Sequence, residues 1–193
     1  MVFENHKNIL DLKARYLNNE RIEPLNIIIM PIKAAQLLRE HGYIDDKAAI
    51  IYILQCYKVN GETNIICDTE LWIDFDDFDD KKRINAMTAE HAENIKNFVL
   101  SLPKEIQELI VCCPAGISRS PAVAAGILKG LGYSDMHIWR NPRYSPNRLC
   151  YKLMLKAFGK STVLVCFKKS ISEHIFRKAL KKAKKGKVDC TNI

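Results

Sequence analysis

Cys113 and Arg119 stand six positions apart near the middle of a 193-residue chain, with Pro114, Ala115, Gly116, Ile117 and Ser118 between them and Ser120 directly after. A thiol, a short loop with a glycine at its bend, a guanidinium and the start of a helix-like run coincide there. Each has a physical task if the ligand is a phosphate ester. Backbone N–H groups of a tight loop converge on oxygens, and a helix N-terminus adds partial positive charge. Arg119 grips two phosphate oxygens with its planar fork. The same field favours thiolate over thiol, so Cys113 becomes a nucleophile without an adjacent base.

Such a loop needs a strand to deliver the thiol and a helix to follow it. The apolar run 109–112 supplies the strand and residues 121–128 the helix, with Pro121 at its first position and Ser120 as its cap. Upstream, residues 25–30 read as a buried strand, after which Pro31 opens a helix with Ala34, Leu37 and Leu38 on its apolar side and Gly42 at its end. Residues 48–54 form a second strand, and a turn at Asn60 and Gly61 leads to short strand-like pieces at 63–67 and 71–75. Thr88 caps a helix whose inward face is Ala92, Ile95, Phe98, Val99 and Leu102. Gly132 stops the helix after the loop, and residues 145–147 begin another with Leu149, Leu153 and Ala157 on one face. Residues 161–167 read as a further strand and 172–185 as a terminal helix striped with Ile175, Phe176, Ala179, Leu180 and Ala183. Strands separated by helices predict a single α/β domain with a largely parallel central sheet flanked by helices. Ligands bind such sheets at the carboxyl ends of the strands, where both the Cys113 loop and the acidic loop after Phe75 fall.

With its apolar strand, its Gly116 bend and Ser120 after the arginine, the C-x5-R-S segment resembles the signature loop of the protein tyrosine phosphatase superfamily. The resemblance implies a cysteine phosphatase that hydrolyses phosphomonoesters through a cysteinyl-phosphate intermediate, with Cys113 and Arg119 catalytic. Pro114, Ala115, Gly116, Ile117 and Ser118 are then the residues that wrap the phosphate, and Ser120 donates a hydrogen bond toward the sulfur as it leaves. The mechanism also needs an acid for the leaving oxygen and a base for water. Residues 71–80 resemble the acid loop of dual-specificity phosphatases, and the strand register puts Asp77 in that role, with Asp76, Asp79 and Asp80 as rivals that otherwise solvate the loop or cap a helix. The stretch from Arg140 to Asn147 resembles the family's R-x(n)-PN segment, in which the asparagine braces the signature loop; capping the next helix is the plainer role for Asn147.

One position departs from the family pattern. Where a histidine usually precedes the nucleophile this chain has Cys112, which reads as a small buried hydrophobe and implies slower turnover. The short chain implies a shallow site, hence phosphotyrosine and also phosphoserine or phosphothreonine in a phosphorylated protein or peptide. A loop without lysines argues against multiply charged substrates. The competing readings are a non-catalytic phosphate-binding module and a phosphatase acting on a non-protein phosphoester.

Composition bounds the rest. Seven cysteines lack paired zinc-ligand spacings, so neither a disulfide framework nor a metal site is indicated, and no cofactor is expected. The first residues lack the apolar core of a signal peptide and no apolar run is long enough to span a membrane, which points to a cytoplasmic protein. From residue 168 onward nine Lys/Arg face two Asp/Glu, a net of +7 out of the whole chain's +8. The chain therefore divides into an N-terminal extension (1–24), a phosphatase-like domain (25–167) and a basic tail (168–193) with an anionic partner as its candidate ligand.

Overall fold

Two long apolar runs set the architecture. Strands β2 (Ala48–Leu54) and β5 (Glu108–Cys113) carry buried side chains on both faces, so each must lie inside a sheet covered on both sides. In the computed structural model, which describes residues 25–56, 65–67 and 69–188 and the backbone alone at 65–67 and 184–188, they do. With β1 (Asn26–Pro31), β3 (Ile65–Cys67) and β4 (Glu70–Asp74), the strand order is β1-β5-β2-β4-β3. The first four run parallel, and β3 alone is antiparallel, at the edge. The turn expected at Asn60 and Gly61, the N-terminal extension and the last residues of the tail lie outside the described residues.

Alternation along the strands divides the core in two. Leu109, Val111 and Cys113 face one layer with Ala49, Ile51 and Ile53, while Ile110 and Cys112 face the other with Ile50 and Tyr52. The larger layer is covered by α2 (Ala89–Ser101), α3 (Arg119–Gly130), α4 (Met136–Arg140) and α5 (Arg148–Ala157). The other is covered by α1 (Ile32–Glu40) through Ala35, with Tyr52 and Trp72 stacked 4.0 Å apart beneath.

Helix α1 therefore leaves β1 toward one face, whereas α3 leaves the neighbouring β5 toward the other. That divergence opens a crevice at the carboxyl ends of β1 and β5, where open α/β sheets bind ligands. Pro31 and Cys113, paired in register, stand at its mouth.

Several expectations change. The side predicted for α1 is wrong: Leu37 is 47% exposed and Leu38 37%, and the buried residue is Ala35. Starting straight after Pro31, the helix turns its smallest side chain onto the sheet. Residues 161–167 are not a strand; helix α6 (Val165–Val188) begins within them and runs well before residue 172. Val165, Lys168 and Ser172 are buried at helical spacing while Val163, Leu164 and Phe167 face solvent, so docking of one helical face overrides the β propensity of the run. The expected division after residue 167 falls inside this helix. Finally, α3 starts at Arg119, which puts Pro121 third in the helix and leaves the cap position to Ser118. The inward face predicted for α2 is observed complete, and Thr88 caps it through the His91 amide. Leu149 of α5 is buried as expected, but Leu153 and Ala157 are only half-buried and Cys150, Tyr151, Met154 and Leu155 do more of the packing. Among the described residues no helix is long and apolar enough to cross a membrane.

Candidate active site

β5 ends at Cys113 and the chain turns through Pro114, Ala115, Gly116, Ile117 and Ser118 before entering α3. Gly116 has a φ of +67°, and a Cβ there would fall 2.8 Å from the Pro31 nitrogen and 2.9 Å from the Met30 carbonyl carbon. Only glycine lets the loop pass this close to the end of β1. Among the described residues no carbonyl or side chain takes the amide N–H groups of Ala115, Gly116, Ile117 and Ser118. Ser118, at the cap position of α3, makes no side-chain cap bond either. Unpaired amides beside an uncapped helix N-terminus form an anion site.

The Cys113 thiol is buried and lies 3.2 Å from the Ser120 hydroxyl. Ser120 therefore faces the sulfur and does not cap the helix, as one sequence reading had it. Its neighbour Cys112 points through the sheet to the other core layer, where its thiol sits 3.4 Å from the Ile51 carbonyl oxygen. Burial, then the adjacent Cys113, push the Cys112 thiol above its ordinary range, so it is an inert hydrophobe as expected. Burial likewise keeps Cys150 protonated, and burial together with Asp74 pushes Cys56 up to about 12.

Arg119 is buried although charged. One terminal nitrogen, Nη1, donates to the carbonyls of Leu54 (2.9 Å) and Phe75 (2.6 Å), the last residues of β2 and just past β4. Its Nε is buried and has no hydrogen-bond partner among the described residues. A buried unpaired donor costs on the order of 1–3 kcal/mol, and a phosphate oxygen in the loop would satisfy it.

The four aspartates after Phe75 separate by what they hold. Asp76 Oδ1 accepts the Cys56 amide, Asp80 Oδ1 accepts the Lys82 amide, and Asp79 Oδ1 accepts the amides of Arg148 and Leu149 at the start of α5. These three do structural work. Asp77 is exposed and leans onto the Cys113 loop, where its Oδ1 accepts from the Ser118 hydroxyl and from Asn147 Nδ2, both at 2.8 Å. Its Oδ2 has no hydrogen-bond partner among the described residues.

Asn147 keeps the capping role, while its side chain braces the acid loop and leaves the Cys113 loop alone. Its Oδ1 accepts the Cys150 amide as the cap of α5, and its Nδ2 donates to Asp77 and to the Phe78 carbonyl. The brace on the Cys113 loop itself comes from backbone. The amides of Ser145 and Asn147 donate to the carbonyls of Ile117 (2.9 Å) and Ser118 (3.1 Å).

Sequence reasoning missed the support behind that segment. Lys169 of α6 donates to the Pro146 carbonyl at 2.8 Å, and the Ser172 hydroxyl donates to the Tyr144 carbonyl at 3.1 Å. The helix is itself fixed by Lys168, whose ammonium lies 2.7 Å from both oxygens of buried Asp135 and 2.8 Å from the Tyr151 hydroxyl. Burial pushes the Asp135 carboxyl up, but Lys168, Tyr151 and Trp139 together bring it below its ordinary value. The legible signal was the spacing of Val165, Lys168 and Ser172 on one helical face.

No protein-family model matches this chain, and no curated protein does. The fold is similar to that of the crystal structure of DUSP15, with a TM-score of 0.50 over 78% of this chain and 92% of that one, at 17% identity. At this identity the likeness concerns the fold, and the chain accordingly has the dual-specificity phosphatase form of the protein tyrosine phosphatase fold.

Proposed function

We propose that the chain is a cysteine-dependent phosphatase of protein phosphomonoesters, acting on phosphotyrosine and also on phosphoserine and phosphothreonine. The observation that carries this is the convergence, at one crevice, of the Cys113 thiol, the unpaired loop amides and the buried unpartnered Nε of Arg119. These are a nucleophile and the donors a phosphoryl group requires.

In this reading the Cys113 thiolate attacks phosphorus in line with the ester oxygen. The S–P bond forms as the P–O bond breaks, and Asp77 Oδ2 gives its proton to the departing oxygen. The equatorial oxygens rest on the loop amides and on Arg119 throughout. Water then attacks the phosphocysteine, Asp77 takes its proton, and the sulfur leaves as thiolate with the Ser120 hydroxyl donating to it. Inorganic phosphate is the product. The catalytic unit consists of residues 25–167 with the first turns of α6, and its working thiolate suits a reducing compartment such as the cytoplasm.

The rim supports a peptide substrate. Ile117 at the loop crest is 39% exposed, and beside the acid loop a groove of about 450 Å³ is lined by Asp76, Phe78, Lys82, Arg83, Ile84 and Asn85. Arg83 lies over the Phe78 ring at 4.8 Å, giving the groove an aromatic wall with cations, suited to a peptide with acidic residues near the phosphate. A chromogenic aryl phosphate tests the reaction class. Hydrolysis should be blocked by vanadate and lost in Cys113→Ser, whose hydroxyl cannot be ionised by the same loop. Robust turnover by that variant would sink the cysteine mechanism.

A further inference from the structure

Helix α6 leaves the body with one face unpartnered and two kinds of chemistry along it. Val165, Lys168 and Ser172 occupy the docked face. Away from that face come Leu164, just ahead of the helix, then Phe167, His174, Lys178, Lys181 and Lys182, with half-buried Ile171 at the margin. The start of this stripe is apolar and bare: Leu164 is 62% exposed, Phe167 64%, and the preceding Val163 83%. Its continuation is cationic, with Arg177, Lys178, Lys181 and Lys182 all exposed, and the sequence adds Lys184, Lys185 and Lys187. Against this, Glu173 is the single acid of the helix, and it pairs loosely with Arg177 at 3.7 Å.

We infer that this face is a docking surface for an anionic lipid bilayer, with Val163, Leu164 and Phe167 entering the headgroup and acyl boundary and the lysines lying over the lipid phosphates and carboxylates. Charge complementarity selects an anionic partner, because the tail carries nearly all of the chain's net charge. The apolar end then selects among anionic partners. Nucleic acid takes cations along its backbone but offers no place for three exposed aliphatic and aromatic side chains. An interfacial helix needs both, apolar insertion and basic attraction, on a single face. The helix is 24 residues long and anchored to the body by a buried ion pair, so it presents this face as a fixed element. The inference stands independently of the phosphatase reading.

The test is flotation of the full chain with vesicles of phosphatidylcholine, alone or with phosphatidylserine added. Phosphatidylserine vesicles should capture the protein at low salt, and binding should fall about tenfold or more when salt is raised or the serine lipid omitted. Leu164→Ser with Phe167→Ser should weaken capture about tenfold with an unchanged circular dichroism spectrum. Lys178→Gln, Lys181→Gln and Lys182→Gln together should do the same. A Phe167→Trp protein should be quenched by brominated lipid, which reports insertion directly. No capture at low salt would overturn the inference. So would capture indifferent to the Leu164 and Phe167 changes, or release from vesicles by an equal concentration of an RNA or DNA oligonucleotide.

Discussion

Arg119 commits one nitrogen to the carbonyls of Leu54 and Phe75 and leaves its Nε buried and unpaired. The guanidinium is thus fixed in place before any ligand arrives, which lowers the ordering cost of gripping a phosphate. Asp77 is held in a similar way. With Oδ1 tied to Ser118 and Asn147, Oδ2 is the oxygen without a hydrogen-bond partner among the described residues, and the proposed acid acts through it. Asp77→Asn should therefore reduce turnover roughly 100-fold with little change in substrate binding, and less for an aryl phosphate with an acidic leaving group. Single asparagine variants of Asp76 and Asp79, compared by steady-state kinetics, should lose far less; equal losses would move the acid elsewhere. Of this site, Cys113, Gly116, Arg119 and Ser120 were legible from spacing, because their chemistry is local to one loop. The four aspartates were not separable by sequence, since what distinguishes them is which distant amide each one holds.

At the scale of elements, the Cys113 loop is the innermost of three stacked supports. The loop carbonyls of Ile117 and Ser118 are held by the amides of Ser145 and Asn147, and the carbonyls of Tyr144 and Pro146 are held in turn by Ser172 and Lys169 of α6. Lys169 reaches the loop through the Pro146 carbonyl, as a positioning residue. Replacing it with methionine keeps its length and removes its donor, so Lys169→Met should lower kcat about tenfold through the misplaced loop, whereas Lys169→Arg restores it. An unchanged KM beside the lowered kcat is the signature; a loss confined to thermal stability would make the contact merely structural. The apolar runs of β2 and β5 and the spacing in α2 were readable because each is a pattern within one segment. Helix α6 was misread at its start because residues 161–167 have strand-like composition, and only the sites for Val165, Lys168 and Ser172 on the body make them helical.

Across the whole molecule, the terminal helix belongs to the folded unit as well as to the basic tail. The buried group of Asp135, Lys168, Tyr151 and Trp139 joins it to α4 and α5, and its members satisfy one another. Removing one charge strands the other in the interior. Lys168→Met should cost about 3–5 kcal/mol in urea unfolding, and adding Asp135→Asn should recover part of that loss. A cost below about 1 kcal/mol would mean that water reaches the pair.

The parallel sheet and the position of the site at its carboxyl edge followed from the order of apolar runs. That α1 and α3 diverge from neighbouring strands did not, because strand order is a long-range property.

The central claim is that phosphate passes through Cys113. Acid-quenched enzyme taken during turnover of an aryl phosphate, digested and analysed by mass spectrometry, tests it most directly. The phosphoryl group should be found on the peptide carrying Cys113, at the sulfur, and should be absent from Cys113→Ser and from Arg119→Lys, whose point charge cannot hold the phosphate in line. Turnover without a labelled Cys113 peptide, or a phosphoryl group on any other residue, would contradict it.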